Sequence, residues 1–209
     1  MIQTENLTYQ YKKGTAVFSF PNITLEKGAN LLILGASGIG KTTLLHLLAG
    51  LLKPVTGKIY INEVALNSLK NNKLDTFRGE NIGLVFQKKH AIQSLNVFDN
   101  LKARLLFSNA LVTDKKIEIV LAQLGLSELK RNKVSELSEG QLQRLGIALS
   151  VIHNPQVILA DEPTSSLDDK NCKIVIKLLK NQAKQTNANL IVITHDHRIK
   201  ACFQNSITL

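Results

Sequence analysis

The sequence has 209 residues, of which 44% are hydrophobic and 20% are charged, an ordinary balance for one globular domain with a sizeable core. Its apolar runs are too short to cross a bilayer, its first residues lack a signal-peptide pattern, and its two cysteines are expected to be reduced thiols, so we expect a cytoplasmic protein. The net charge of +10 favours an anionic partner without choosing among nucleotide, nucleic acid and membrane surface.

The first part of the chain is rich in predicted strands. The segments "ENLTYQY", "AVFSF", "NITLE" and "NLLIL" are short, β-prone and separated by turn residues. Because "NLLIL" is apolar throughout, we expect its strand to be buried on both faces. A Gly-rich segment, a predicted helix and two further strands, "KIYIN" and "IGLVF", follow it.

The middle of the chain changes from strand to helix patterning. From about residue 94 to 129, apolar residues recur at spacings of three and four, and another helix is predicted over 140–152. The strands "VILA", "LIVIT" and "SITL" then alternate with a helix over 169–184. This order predicts an α/β core formed by 1–87 and 151–209, with an inserted helical subdomain at about 88–150.

A complete phosphate-loop motif follows the buried strand. "GASGIGKT", Gly35 to Thr42, fits the pattern G-x-x-x-x-G-K-[ST] between a strand and a helix. Its backbone N–H groups and the helix N-terminus are expected to bind phosphate, Lys41 to reach the β- and γ-phosphates, and Thr42 to ligate Mg²⁺. The predicted nucleotide-binding residues here are Gly35, Ala36, Ser37, Gly38, Ile39, Gly40, Lys41, Thr42 and Thr43. The motif predicts a nucleoside triphosphate site.

Two carboxylates lie at the end of a second buried strand. In "VILADEP", four apolar residues precede Asp161 and Glu162, at the sheet edge where ligands collect. We expect Asp161 to hold Mg²⁺, directly or through water, and Glu162 to orient and polarise the attacking water.

The remaining motifs make the chain resemble the nucleotide-binding subunit of ATP-binding cassette (ABC) transporters, from about Tyr11 to His195. Gln87 ends "IGLVFQ", where that family has its Q-loop glutamine, and "LSEGQ" at 137–141 matches the signature, usually Leu-Ser-Gly-Gly-Gln. "SSLD" at 165–168 matches the D-loop, and His195 in "VITHD" matches the switch histidine. Tyr11 lies where the family stacks an aromatic ring on adenine, although Tyr9 is also close enough.

This resemblance implies an ABC-type P-loop NTPase with a mixed sheet core, an antiparallel β-subdomain and a small inserted α-helical subdomain. It assigns Glu162, His195 and Gln87 to catalysis, and Thr42, Gln87 and Asp161 to Mg²⁺. Two copies would form an ATP-dependent homodimer, head to tail, in which Ser138, Gly140 and Gln141 of one copy close on the ATP of the other. The remaining expected site residues are the D-loop pair Ser165 and Asp168.

The resemblance also implies a partner: hydrolysis of ATP would drive an integral-membrane permease on a separate chain, with this subunit peripheral on the inner face of the membrane. The segments "LLHLLAGL" and "LADEPTSSLD" are most similar to the lipoprotein-release and macrolide-export branch. A soluble ABC ATPase acting on the ribosome or DNA is the alternative. Because the sequence lacks the second cassette or the long insertions of such relatives, nucleic acid is not the expected partner. A phosphate-loop kinase would leave the signature unexplained.

Overall fold

The computed structural model describes residues 1–14, 16–86, 90–165 and 167–209. Over these residues the chain forms ten strands and six α-helices. The strands are β1 (Ile2–Tyr9), β2 (Phe18–Ser19), β3 (Thr24–Leu25), β4 (Asn30–Leu34), β5 (Thr56–Ile61), β6 (Val64–Ala65), β7 (Ile82–Val85), β8 (Val157–Asp161), β9 (Asn189–Thr194) and β10 (Asn205–Thr208). The helices are α1 (Lys41–Leu48), α2 (Asn71–Asn81), α3 (Val97–Phe107), α4 (Asp114–Gln123), α5 (Glu139–Val151) and α6 (Asp169–Thr186).

The strands form two sheets. In the first, β1 pairs antiparallel with β2, β3 and β5, and β5 continues to β6. The second has the order β10-β4-β9-β8-β7, and each of its described pairings is parallel. The predicted α/β fold with an antiparallel β-subdomain is confirmed, and strand directions mix between the two sheets rather than within the core sheet.

The parallel sheet is buried on both faces, as the apolar run "NLLIL" predicts. Along β4, Leu31 and Ile33 pack in a cluster with α1 and the antiparallel sheet, whereas Leu32 and Leu34 pack in a second cluster with α3 to α6. Because successive strand residues point to opposite faces, every position of such a strand is apolar. Gly83 in β7 permits close packing of α5, since a Cβ there would lie 2.0 Å from the Ser150 carbonyl oxygen.

The helical middle of the chain begins each helix with a side-chain cap. Asn96 accepts a hydrogen bond from the backbone N–H of Asp99 at the start of α3, and Thr113 accepts one from that of Lys116 at the start of α4. Such caps satisfy N–H groups that the helix itself leaves without a partner. Among the helices that the structure describes, none has the length and apolar composition needed to cross a membrane.

Candidate nucleotide site

Three neighbouring strands of the parallel sheet deliver the motifs to one edge. β9 lies between β4 and β8, and the register pairs Leu34 with Thr194 and Asp161 with Ile193. The carboxyl ends of these strands therefore lie side by side, which is where open parallel sheets bind their ligands. The phosphate loop leaves β4, the two carboxylates end β8, and the histidine follows β9.

The phosphate loop turns tightly into helix α1. Gly40 lies before the helix with φ of 105°, and a Cβ there would lie 2.7 Å from the Phe18 ring, so only glycine fits. Lys41 is 6% exposed, and its ammonium donates hydrogen bonds of 2.9 Å to the carbonyl oxygens of Gly35 and Ala36. The loop thus combines a fixed cation with the positive end of a helix, which suits a polyphosphate.

Thr42, at the end of the phosphate loop, contacts Asp161. The Thr42 hydroxyl donates to Oδ2 of Asp161 over 3.0 Å, although the two residues are far apart in sequence. Burial raises the pKa of the Asp161 carboxyl, with a smaller contribution from Glu162. A hydroxyl and a carboxylate are the hard oxygen ligands that Mg²⁺ prefers, and a bound cation would offset the desolvation of Asp161. The donor set therefore fits Mg²⁺. The third predicted ligand, Gln87, lies outside the described residues.

Glu162 is held by donors on several sides. Its carboxylate accepts hydrogen bonds from the Thr194 hydroxyl at 2.7 Å and the His195 backbone N–H at 3.1 Å, and Nδ1 of His195 lies 2.9 Å from it. The Lys41 ammonium lies 3.7 Å away. Glu162 also has a positive φ of 47°, an uncommon backbone conformation for a residue other than glycine. These contacts fix the carboxylate between the phosphate loop and the switch histidine.

Lys41, Thr42, Glu162 and His195 border one cavity of about 350 Å³, whose lining does not include Asp161. It is lined by Tyr11, Phe18, Ser37, Gly38, Gly40, Lys41, Thr42, Thr43, Glu162 and His195. All of them except Phe18 are residues that the sequence predicts for the site. The structure also separates the two candidate tyrosines, because Tyr11 lines the cavity and bonds the Thr43 hydroxyl at 2.8 Å, whereas Tyr9 packs edge-on behind it with ring centroids 4.9 Å apart.

The signature residues do not line this cavity. Ser138, Gly140 and Gln141 lie at the start of α5, where Ser138 and Gly140 are exposed. The Ser138 hydroxyl accepts from the Gln141 backbone N–H, and the Gln141 side chain accepts from the Ser138 N–H at 2.8 Å. This capping box makes a well-defined helix N-terminus at the protein surface.

A family model described as "ABC transporter" matches residues 19–165, which include the phosphate loop, both carboxylates and the signature. The chain belongs to the ABC transporter family. The ABC assignment predicted from the motifs is thereby confirmed, and the chain is an ATP-binding, ATP-hydrolysing cassette.

Individual ABC relatives match over nearly the whole chain. The lipoprotein-releasing system ATP-binding protein LolD of Saccharophagus degradans is 35% identical over 201 residues, 94% of this chain and 88% of that protein. The dimeric structure of MJ0796, an ABC transporter cassette of Methanocaldococcus jannaschii, superposes with a TM-score of 0.88 at 32% identity and covers 100% of this chain and 94% of that one. A second MJ0796 dimer, bound to ADP and Pi in a post-hydrolysis state, also has a TM-score of 0.88, at 31% identity over 100% of this chain and 94% of that one. The LolD match agrees with the predicted lipoprotein-release and macrolide-export branch.

The segment predicted as the D-loop lies between Glu162 and α6 in the sequence. The Ser165 hydroxyl donates to the Glu162 carbonyl oxygen at 3.1 Å, and Asp168 caps α6 by accepting from the Asn171 N–H at 2.8 Å. That capping hydrogen bond lowers the pKa of the Asp168 carboxyl. Neither Ser165 nor Asp168 lines the cavity.

Two residues that shape the site, Thr194 behind Glu162 and Phe18 in the cavity wall, are not among those predicted from the sequence. Thr194 orients Glu162, and its position directly before His195 at the end of a buried strand was a usable signal. Phe18 forms a cavity wall beside Gly40 from a strand of only two residues, and nothing in its local sequence distinguishes it. Its role arises from the packing of the antiparallel sheet on the phosphate loop.

Proposed function

We propose that two copies of this chain close head to tail around two ATP molecules and that the resulting cycle drives a separate membrane permease. One observation carries the shared site: Lys41, Thr42, Glu162 and His195 line one cavity, while the signature lies on another, exposed surface. A second copy can bring its signature helix onto that cavity, and a closed two-fold pair makes two equivalent sites.

Within one copy, each cavity residue has a distinct proposed role. Lys41 and the loop N–H groups hold the β- and γ-phosphates, and Thr42, Asp161 and Gln87 hold Mg²⁺, which neutralises charge on the phosphates when bound. Glu162 orients and polarises the attacking water, and His195 contacts the γ-phosphate and positions Glu162. Tyr11 stacks on adenine. The hydrogen bonds to Glu162 leave this carboxylate little freedom, as positioning catalysis requires.

Across the interface, the second copy contributes the start of α5. The Ser138 hydroxyl and the Gly140 N–H are donors at a helix N-terminus, which favours a γ-phosphate. Gln141 completes the capping box that shapes this turn, and Ser165 and Asp168 line the approach between the two sites. The dimeric MJ0796 structures support this assembly.

The transport role rests on the relatives. We propose that residues 1–209 form one ABC ATPase domain, with 88–150 as its helical subdomain, working on the cytoplasmic side of a membrane with a permease. The match to LolD, named for a lipoprotein-releasing system, supports the export and lipoprotein-release branch. A tagged chain captured from cells should bring down a protein with several membrane spans, whereas recovery of ribosomes or DNA instead would favour the alternative of a soluble ATPase.

The shared site can be tested without the permease. Each site needs groups from two chains, so ATP hydrolysis per subunit should rise steeply with protein concentration through the range in which light scattering detects dimers. A rate per subunit that stays constant down to concentrations where only monomer is present would defeat the two-chain site while leaving ATP hydrolysis intact.

A further inference from the structure

Arg198 makes an unusual set of contacts just after the switch histidine. Its guanidinium forms a two-point pair with Asp196, with Nε 2.9 Å from Oδ1 and Nη2 2.8 Å from Oδ2. The same side chain donates to the Leu167 carbonyl oxygen at 3.2 Å and to the Asp169 carboxylate at 2.6 Å. It therefore joins the loop after β9 to the segment that enters α6.

The partner of Arg198 is connected to the catalytic carboxylate. The Asp196 backbone N–H donates to the Thr194 hydroxyl at 2.9 Å, and that hydroxyl donates to Glu162 at 2.7 Å. The Asp196 carboxylate also accepts from the Thr164 hydroxyl at 3.0 Å, two residues beyond Glu162. Hydrogen bonds from Arg198 lower the pKa of the Asp196 carboxyl to about 2, so it stays ionised near neutral pH. A continuous path of hydrogen bonds thus runs from Glu162 to Arg198.

We propose that Arg198 is a positioning residue for ATP hydrolysis, which clamps the switch-histidine loop (195–197) to the D-loop and thereby fixes Glu162 and His195 for attack by water. The inference rests on the catalytic role proposed for Glu162. Arg198 belongs to none of the motifs that the sequence displays, and it does not line the cavity.

The geometry requires an arginine. Its planar guanidinium carries five N–H donors, and here four contacts are made to two carboxylates and one carbonyl oxygen in different directions. A lysine ammonium at this place keeps the charge but cannot form the two-point pair. The clamp should therefore be weakened by Arg198→Lys and lost in Arg198→Ala.

Steady-state kinetics and hydrogen exchange test the clamp together. Because nucleotide contacts are untouched, Arg198→Ala should lower kcat at least about tenfold while KM for MgATP changes less than about threefold, and Arg198→Lys should fall between this variant and wild type. Amide hydrogen exchange should accelerate in segments 164–169 and 195–198 of Arg198→Ala and stay unchanged in the phosphate loop. Lys200→Ala, an exposed change in the same 3-10 helix (His197–Cys202), is the matched control and should resemble wild type in both measurements.

Separate outcomes contradict the clamp and the proposed function. Unchanged kcat in Arg198→Ala, or exchange that accelerates evenly over the whole chain, would overturn the positioning role. Should Arg198→Ala fail to fold, Asp169→Asn removes one anchor at a position with a 79% exposed side chain and should still lower kcat at constant KM. An unchanged kcat in both Asp169→Asn and Arg198→Lys would then overturn the clamp. Wild-type turnover by Glu162→Gln would instead show that the catalytic role of Glu162 is wrong.

Discussion

Sequence spacing leaves open whether Tyr11 or Tyr9 stacks on adenine, and the position of each ring in the structure favours Tyr11. Both are aromatic, and their rings touch, but only Tyr11 lines the cavity and bonds Thr43 in α1. Tyr11 is also 56% exposed, so its ring is accessible to a base. The alternation of side chains along a strand cannot predict which tyrosine faces the cavity, because β1 ends at Tyr9 and Tyr11 lies beyond it.

Tyr11→Ala should therefore weaken ATP binding, and Tyr9→Ala should weaken it much less. Stacking of a base on an aromatic ring contributes about 1–3 kcal/mol, so the dissociation constant for Tyr11→Ala should rise roughly fivefold or more. Titration with a fluorescent ATP analogue measures both variants. A larger loss of affinity in Tyr9→Ala would show that Tyr9, and not Tyr11, stacks on adenine.

His153 is a buried histidine that does not line the nucleotide cavity. It is 7% exposed, and its Nε2 lies 3.0 Å from Nη2 of Arg104 and 3.2 Å from the Ile82 carbonyl oxygen. Burial, with the charge of Arg104, lowers the pKa of His153 to about 3. The folded protein thus keeps this ring neutral over a pH range in which the unfolded chain protonates it.

Wild type should accordingly lose stability as pH falls from about 6.5 towards 4. Between the unfolded pKa and the folded pKa, the unfolded state binds one more proton, which costs up to about 1.4 kcal/mol per pH unit. In His153→Gln the free energy of unfolding should depend less steeply on pH over this range, as followed by urea denaturation. His197→Gln, at an exposed position, should keep the wild-type slope. Equal slopes in wild type and His153→Gln would refute this assignment.

Helix α5 carries the signature at its N-terminus. Glu139 replaces the usual glycine and lies in the first turn, where a carboxylate stabilises a helix by a few tenths to about 1 kcal/mol. The same helix end is proposed to receive the γ-phosphate of the partner copy. We expect Glu139 to point away from that phosphate and to tune closure only slightly.

Substitutions at two neighbouring residues distinguish a slight effect on ATP-dependent dimerisation from a complete block. Glu139→Gly should change the ATP concentration needed for dimerisation by less than about tenfold, or roughly 1.4 kcal/mol. Gly140→Asp should abolish the dimer, yet it should fold normally, because a Cβ at Gly140 meets no described atom within 4 Å in the single chain. Analytical ultracentrifugation with MgATP measures both. A hundredfold gain for Glu139→Gly would instead make the carboxylate a strong brake.

The elements also show what sequence patterns predict well. The apolar runs of β4, β8 and β9 identify buried strands, and the spacing in α3 and α4 identifies helices, because burial imposes these periods. Helix α2 is missed, since Leu74 is its only buried residue, Phe77 is only partly buried, and most of the rest of "NNKLDTFRGEN" is polar. The short strand β6 is missed too, because it forms only by pairing with β5.

Across the whole molecule, local motifs predict the nucleotide-site residues better than they predict the residues that hold the site in place. The phosphate loop, Asp161, Glu162 and His195 are recognisable because each comes at a strand end. Arg198 and Phe18 act through contacts between segments distant in sequence, which no local pattern records. The separation of the signature from the cavity also becomes visible only in the folded chain, and it is the reason for proposing a second copy.

Gel filtration of Glu162→Gln with and without MgATP tests the ATP-dependent shared site most directly. The amide keeps the shape of Glu162 but cannot polarise water, so this variant should bind MgATP, fail to hydrolyse it and elute as a dimer only when MgATP is present. Lys41→Ala, which removes the phosphate-binding cation, should remain monomeric under the same conditions. Hydrolysis by Glu162→Gln at close to the wild-type rate, or a variant that binds MgATP and stays monomeric, would contradict the proposed ATP-dependent shared site.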